Sequence, residues 1–539
     1  MKINKIIKKV FFGSNLYNIY LSKNSIRSIT FSPRDAWPGD PNLGDKIAQG
    51  YYNLAGRKAN KPNKSLWKIN DKRGYWLKET HSFSWLRHLK ARSGSIARKH
   101  ARHLILEWIQ NNERWNEKSW EVEILSRRIS SWVTNLDFLL AEKDESFSHI
   151  FKSNIFKQIK HLNHYINKKY FYSIEKEFGV EIGSVKKIKI LRGLILSSIC
   201  FEGEEKKYTK CIKILNGELE KIFNEEGVHF SKSPSTQLGI LSDLVTIREA
   251  IISKHISVPE YLSIIIQKAS HSLRFFRTNN GRFAIFNGSK QETKFLIDKI
   301  LSLADGKARG RGPLSLSKSG FEKLTSPGIQ VFVDTFKYNR GFSTRAPHAM
   351  EIIIGKTRLL GSCGTVYQKE KDWKKSLLSS AAHSTLTIEN TNPFSTKDTN
   401  QKVEAKRFKK NGSELIQLVH YGYKKRYSAI CSRTIELGDD GKNLAVLDQI
   451  YSEKLLMYAI RLHFNPDTKI SLSLDKKKAI ILLNEQGWIL NFDGTAKLHL
   501  EQSIFVEDNG NILDSNQLVI KGETIKETTE VLWGLNRKS

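Results

Sequence analysis

The stretch KARGRGPLSLSKSGFEKLTSPGIQVFVD, residues 307–334, divides the chain into two kinds of sequence. Its opening, residues 307–313, is basic and rich in Gly and Pro, and reads as a flexible linker or loop. Its end, residues 329–334, is a short β-branched and aromatic run that reads as a strand. The change begins earlier, at the Asn279-Asn280-Gly281 turn signal.

Upstream, apolar residues recur with helical period. Ala101, Leu104, Ile105, Trp108 and Ile109 share one face, and Val122, Leu125, Ile129, Trp132 and Leu136 share another. Similar stripes occupy residues 155–172, 188–200, 208–223, 238–251 and 259–276. Helices joined by short polar links indicate helical hairpins in a bundle or an α/α toroid. Downstream, strand-like runs at residues 469–474, 479–483, 497–500 and 517–520 are separated by Gly-Asp-Asp-Gly and Asp-Asn-Gly turns, which indicates an antiparallel β domain. The expected fold class is multidomain α + β: a tail over residues 1–30, a helical domain over 31–300 and an antiparallel β domain over 301–539. An all-α half followed by an all-β half is expected to leave a long cleft, a common seat for a polymer.

The sequence, 39% hydrophobic, is apolar enough to fold, and 539 residues imply more than one domain. A formal charge of +33 suggests a polyanionic partner, such as acidic polysaccharide, nucleic acid or an anionic membrane face. The lysines are spread along the chain, as a genome-wide bias would also produce. Cys200, Cys211, Cys363 and Cys431 lack metal-ligand spacing and read as buried thiols. Asn15 and Asn18 interrupt the N-terminal apolar run, so a weak amphipathic helix fits better than a signal peptide. Residues 33–57 hold three prolines and four glycines, which excludes a long regular element.

Two histidines, His348 and His383, each lead into a strand-like segment, and imidazoles at strand ends suit proton transfer or metal binding. The competing reading is strand-end histidines bonded to backbone. His229 precedes a helix start, where capping or packing competes with catalysis. Tyr421, Tyr423 and Arg426 lie in HYGYKKRY, where a phenol and a guanidinium suit an acidic sugar; an aromatic pair on one strand face is the plainer account. Arg345, beside His348, suits a uronate, and His463 suits inner-sheet packing. Trp37, Trp85, Trp108 and Trp132 read as helix-core residues. No phosphate-binding loop, Gly-x-Ser-x-Gly elbow, His-Glu-x-x-His or nucleic-acid module is present.

The collinear order of PRDAWPGDP, FSWLRHLKA, EGVHFSKSPSTQLGILSDLVTIRE, LRFFRTNNGRFAIFNGS, GFEKL, STRAPHAMEI, AAHSTLTIENTNPF, HYGYKKRY, RLHFNPD and VLWGL resembles the heparinase II/III family of polysaccharide lyases over nearly the whole chain. The resemblance implies an incomplete α/α toroid followed by an antiparallel β-sandwich. It also implies β-elimination on a uronate polysaccharide, of glycosaminoglycan or alginate type: a neutralised carboxylate acidifies the C5 proton, a Tyr or His removes it, and the 4-O leaving group is protonated.

Carried over residue by residue, the family pattern is incomplete. Gln237 stands where the carboxylate-neutralising Asn or His is expected, and residues 281–289 hold Phe283 and Phe286 but no tyrosine. Of the family's His-x-His-x-Asp cluster only the second histidine remains, as His348. Ser362 takes the downstream aspartate's place, and His383 matches the last histidine ligand. The resemblance implies no required cofactor; a structural zinc would need a third ligand beyond His348 and His383, with Cys363 close in sequence. The leading expectation is a polysaccharide lyase with acidic polysaccharide as partner. A scaffold that binds glycan or serves envelope assembly without elimination is the alternative, and a nucleic-acid-binding protein the second. Relatives imply a periplasmic or envelope location; the N-terminus leaves a cytoplasmic one open.

Overall fold

The computed structural model describes residues 9–23, 27–54, 57–60, 66–68, 75–166, 168–307, 310–335, 344–365, 371–394, 403–410, 412–508 and 510–538. Parts of the tail, residues 55 and 56 of the lead-in, residues 308 and 309 of the basic linker and Ser343 of STRAPHAMEI lie outside them. The chain forms two compact units, one of Met1–Ile222 with Ile240–Ile266 and one of Phe223–Gly239 with Gln267–Ser539. Helices Pro234–Ser253 and Glu260–Phe275 each begin in one unit and end in the other.

The first unit is helical. The stripe around Trp108 lies in helix Gly94–Asn112 and the next in Val122–Val133. Trp85, Trp108 and Trp132 are buried, as expected, with Phe83 among them. Arg128 enters this aromatic cluster with its guanidinium 4.1 Å from the Trp108 ring centre, and donates to Gln158 Oε1, His81 O and Ser119 O. These bonds offset the desolvation of a buried cation. Trp37 is half-buried and donates through Nε1 to Thr246 Oγ1 at 3.0 Å. The lead-in contains a short helix, Pro41–Ala48, started by the Asp40 cap and by proline in its first turn.

The second unit carries the antiparallel sheets. One runs Lys469–Leu472, Lys478–Leu483, Gln486–Asp493, Glu527–Arg537, Asn443–Ser452, Ile430–Leu437, Ser413–His420, Val403–Lys410. The other runs Lys497–Val506, Ile512–Glu523, Met457–Phe464, Thr357–Gly361, Met350–Ile354, Ile329–Asp334, Phe321–Ser326, Ser315–Leu316, with Leu386–Ile388 also paired to Met457–Phe464. Alternating residues from both sheets fill one core, among them Ile352, Ile460, Leu462, Ile416, Leu418, Ile435 and Trp533. A helical N-terminal part followed by an antiparallel two-sheet sandwich is the fold class expected from the sequence.

Among the helices not anticipated is Lys294–Asp305, in the transition region. Thr293 Oγ1 caps its start by accepting from Leu296 N, and Gly306, at φ 76°, ends it.

Candidate functional site

In the second unit, the segment before strand Met350–Ile354 and the segment before Leu386–Ile388 are laced together by hydrogen bonds to backbone carbonyls. Arg345 N donates to Leu378 O, Ser380 Oγ to Arg345 O, Met350 N to Ser384 O and Thr385 Oγ1 to Pro347 O. The fold thus brings the stretches bearing His348 and His383 side by side. Their rings have different surroundings.

His348 takes a left-handed backbone conformation, φ 60°, uncommon outside glycine. Its N–H donates to Asp334 O at 2.9 Å and its carbonyl accepts from Arg433 Nη1 at 2.9 Å, which fixes the peptide on both sides. The ring meets His420 edge to face, with centres 4.8 Å apart. Burial, with the neighbouring His420 and the Arg433 charge, pushes the His348 pKa well below the usual imidazole range. Its Nε2 is buried and has no hydrogen-bond partner. His420, which the sequence did not single out, accepts from Gly422 N through Nδ1 and is held neutral by burial, its pKa lowered to about 3.

His383 Nε2 donates to Leu377 O at 3.1 Å, and burial lowers its pKa to about 4. Beside it, His463 Nε2 donates to Ala381 O at 2.9 Å, which leaves Nδ1 to accept from Ser503 Oγ at 2.8 Å. The Cys363 thiol lies 3.4 Å from the same Nδ1, and burial raises its pKa. Thiol and imidazole are therefore both neutral. His463 is more than sheet packing: it joins its strand to the turn at Ala381 and to Ser503. Cys363 and Ser503 also border a pocket of about 600 Å³ with Trp373, Gln502, Asp514 and Asn516.

Among the described residues, no three His, Cys, Asp or Glu side chains converge as a metal site. His348 faces His420, whereas His383 and His463 are bonded to carbonyls. The zinc raised by the resemblance has no matching donor set there.

Gln237 is 1% exposed. Its Oε1 accepts from His229 N at 2.9 Å, and its Nε2 faces Gly227 O, Ala269 O and Ser272 Oγ at 2.8–3.0 Å. Both amide hydrogens are engaged within the fold, so neither is turned toward a substrate carboxylate in this state. His229 is buried beside it. Its Nδ1 accepts from Ser231 N at 3.1 Å, and burial lowers its pKa to about 3.

Tyr421 and Tyr423 are not on a strand, because Ser413–His420 ends before them and a turn leads into the short helix Lys424–Tyr427. Tyr423 is buried and donates to Thr391 O at 2.7 Å, and burial raises its pKa far above the phenol range. Tyr421 is half-buried and donates to Glu404 Oε1 at 3.2 Å; Arg426 is exposed, 5.9 Å from the Tyr427 ring centre. The arrangement places Tyr423 inside and Arg426 at the surface, and removes the strand-face pairing. Arg345 is half-buried, and its guanidinium has no side-chain partner among the described residues.

Asn287 was also missed. At φ 49° it accepts Thr344 N through Oδ1 at 3.1 Å and donates to Lys232 O at 3.3 Å. It thereby ties the loop at 281–289 to the segment leading into Arg345 and His348. Its signal in the sequence is the Asn287-Gly288 pair, a turn former.

Comparison with known proteins agrees with this architecture. Residues 308–534 match the family described as Heparinase II/III-like, C-terminal. The chain is 26% identical over 565 residues to FtsZ-localized protein C of Caulobacter vibrioides, covering 98% of this chain and 94% of that one. Among solved structures, a heparinase III superposes with a TM-score of 0.73 at 15% identity, covering 99% of this chain and 91% of the other. A chondroitin AC lyase of Streptomyces coelicolor A3 gives 0.55 at 9% identity, covering 98% and 80%. Residues 308–534 thus carry a heparinase II/III-like C-terminal domain, and the helical part followed by a sandwich is the fold of the solved heparinase III structure.

Proposed function

We propose that the protein cleaves an acidic, uronate-containing polysaccharide by β-elimination, with His348 as the base. The observation that carries this reading is the His348 Nε2: a nitrogen of a neutral imidazole, without a hydrogen-bond partner, on a peptide fixed by Asp334 and Arg433. A base must hold a free lone pair at working pH, and a desolvated histidine does so. It would take the C5 proton; the released electron pair forms the C4–C5 double bond as the C4–O bond breaks, and the leaving oxygen takes a proton. Arg345, three residues away, is suited to pair the uronate carboxylate and so acidify C5. Nε2 is covered in this state, so the reading requires substrate to open a path to it.

A second reading has specific support. Gln237 is turned inward, and residues 281–289 hold no phenol. Both favour a scaffold that binds glycan without eliminating. The relative called FtsZ-localized protein C is named for a location rather than a reaction.

The test is the ultraviolet absorbance of unsaturated uronate after incubation with heparan-type chains, chondroitin and alginate. A rise that His348→Ala and Arg345→Ala abolish, with the circular dichroism of each variant unchanged, is the expected outcome. No rise with any polymer, together with saturable glycan binding, replaces elimination with the binding scaffold.

A further inference from the structure

Near its start the chain carries an apolar face that is held in place from behind. Residues 9–13 are helical, and after Ser14 the helix Asn15–Ser22 begins with Ser14 Oγ accepting from Tyr17 N at 3.1 Å. Tyr17 and Leu21, one turn apart, point inward and are buried; the Tyr17 hydroxyl lies 2.7 Å from His161 Nδ1 of helix Glu145–Asn163. Residues on the other side face water. Leu16 is 80% exposed and Val10 68%, with Phe11, Ile19 and Tyr20 exposed around them. Five large apolar side chains within eleven positions form a patch, not the scattered exposure normal for a soluble surface.

The border of this patch is cationic. Lys9 and Lys23 are exposed at its two ends. Lys160, from the supporting helix, places Nζ 3.9 Å from the Tyr20 ring centre and donates to Tyr20 O at 2.6 Å. Residues 1–34 contain seven Lys and Arg and no Asp or Glu. Apolar and aromatic side chains among lysines, without a carboxylate in the segment, match a surface of acyl chains beneath anionic headgroups.

We propose that the helical segment of residues 9–23 docks the protein onto an anionic lipid surface. Val10, Phe11, Leu16 and Ile19 enter the boundary between headgroups and acyl chains, and Lys9 and Lys23 pair with lipid phosphates. The contact is peripheral: among the described residues, no helix is long and apolar enough to cross a membrane. Tyr17 and Leu21 keep the face pre-formed, so docking does not require it to fold at the surface.

The experiment is co-sedimentation of the full chain with vesicles of phosphatidylcholine containing about one third phosphatidylglycerol, beside vesicles of phosphatidylcholine alone. The protein should pellet with the anionic vesicles, weakly with neutral ones, and less as salt rises. The double variants Leu16→Glu with Ile19→Glu, and Lys9→Glu with Lys23→Glu, should each lower binding by about tenfold or more. These are exposed positions, and unchanged circular dichroism and melting establish that the fold is intact. Absence of pelleting with anionic vesicles, or pelleting that the Leu16→Glu, Ile19→Glu variant retains, overturns the proposal. So does a dimer seen by light scattering that this variant dissolves while vesicle binding is absent; the face then belongs to a second copy.

Discussion

Arg433 and Asp448 stand opposite each other on neighbouring antiparallel strands and meet as a buried two-pronged pair, Nε to Oδ1 at 2.7 Å and Nη2 to Oδ2 at 2.9 Å. Trp533 Nε1 adds a third bond to Asp448 Oδ2 at 3.0 Å, and the remaining Arg433 nitrogen reaches the carbonyls of His348 and Ser384. A salt bridge of one sheet therefore holds the backbone beside both candidate histidines.

Removing one partner leaves an uncompensated buried charge. Asp448→Ala should cost about 3–5 kcal/mol, read from urea unfolding. The double variant Arg433→Met, Asp448→Leu should recover much of that loss, because no charge is then left unpaired.

Stability should fall on mild acidification. His229, His383 and His420 have folded pKa values lowered by burial to about 3, 4 and 3, against 6.5 when unfolded. Between those values the unfolded chain binds more protons, so stability is present above pH 6.5 and is lost as pH falls toward 4. Each such histidine contributes a slope of up to about 1.4 kcal/mol per pH unit. Urea midpoints measured from pH 7.5 to 4.5 check this, and His420→Asn should flatten the curve.

Gly441, in the Gly-Asp-Asp-Gly turn, has φ 67°, and a Cβ there would sit 1.9 Å from Pro327 O. Gly441→Ala should lower stability by about 1–3 kcal/mol through strain and displacement of the 326–328 turn. Gly438→Ala in the same turn, with its nearest contact at 3.3 Å and no positive φ, should be milder. Paired thermal melts compare the two.

All four cysteines are free and buried. A thiol reagent such as Ellman's should label none in the native protein over minutes and all four in guanidinium. Native labelling confined to Cys363 would mean that the nearby pocket opens to its thiol.

The two-part fold was legible because each half obeys one period. The stripe through Trp108 and the alternation at 329–334 each require one face to be buried, whatever it packs against. The helix Lys294–Asp305 escaped because it lies between Gly-rich turns, although Thr293 and Gly306 are ordinary start and stop residues. The candidate site was only partly legible. The stretches bearing His348 and His383 are joined by hydrogen bonds to backbone carbonyls, but neighbours such as His420 and His463 lie 72 and 80 residues further along the chain, beyond any local spacing signal. Tyr421 and Tyr423 were misassigned because the strand ends at His420, before both of them, and the chain turns at Gly422. Gln237 illustrates the same limit, since sequence gives its amide but not the carbonyls of Gly227 and Ala269 that engage it.

The interleaving of the two units along the chain fixes an order of birth. The first unit has all its residues once position 266 has left the ribosome, whereas residues 223–239 of the second emerge early and must wait. Ser235 meets Ser289 only after some fifty more residues, and Asn224 meets Ser319 after ninety-five. Translation thus completes the helical unit first, while a short piece of its neighbour is already made and unpartnered. A nascent chain stalled near residue 300 should already protect the first unit from protease and leave residues 223–239 open to cleavage.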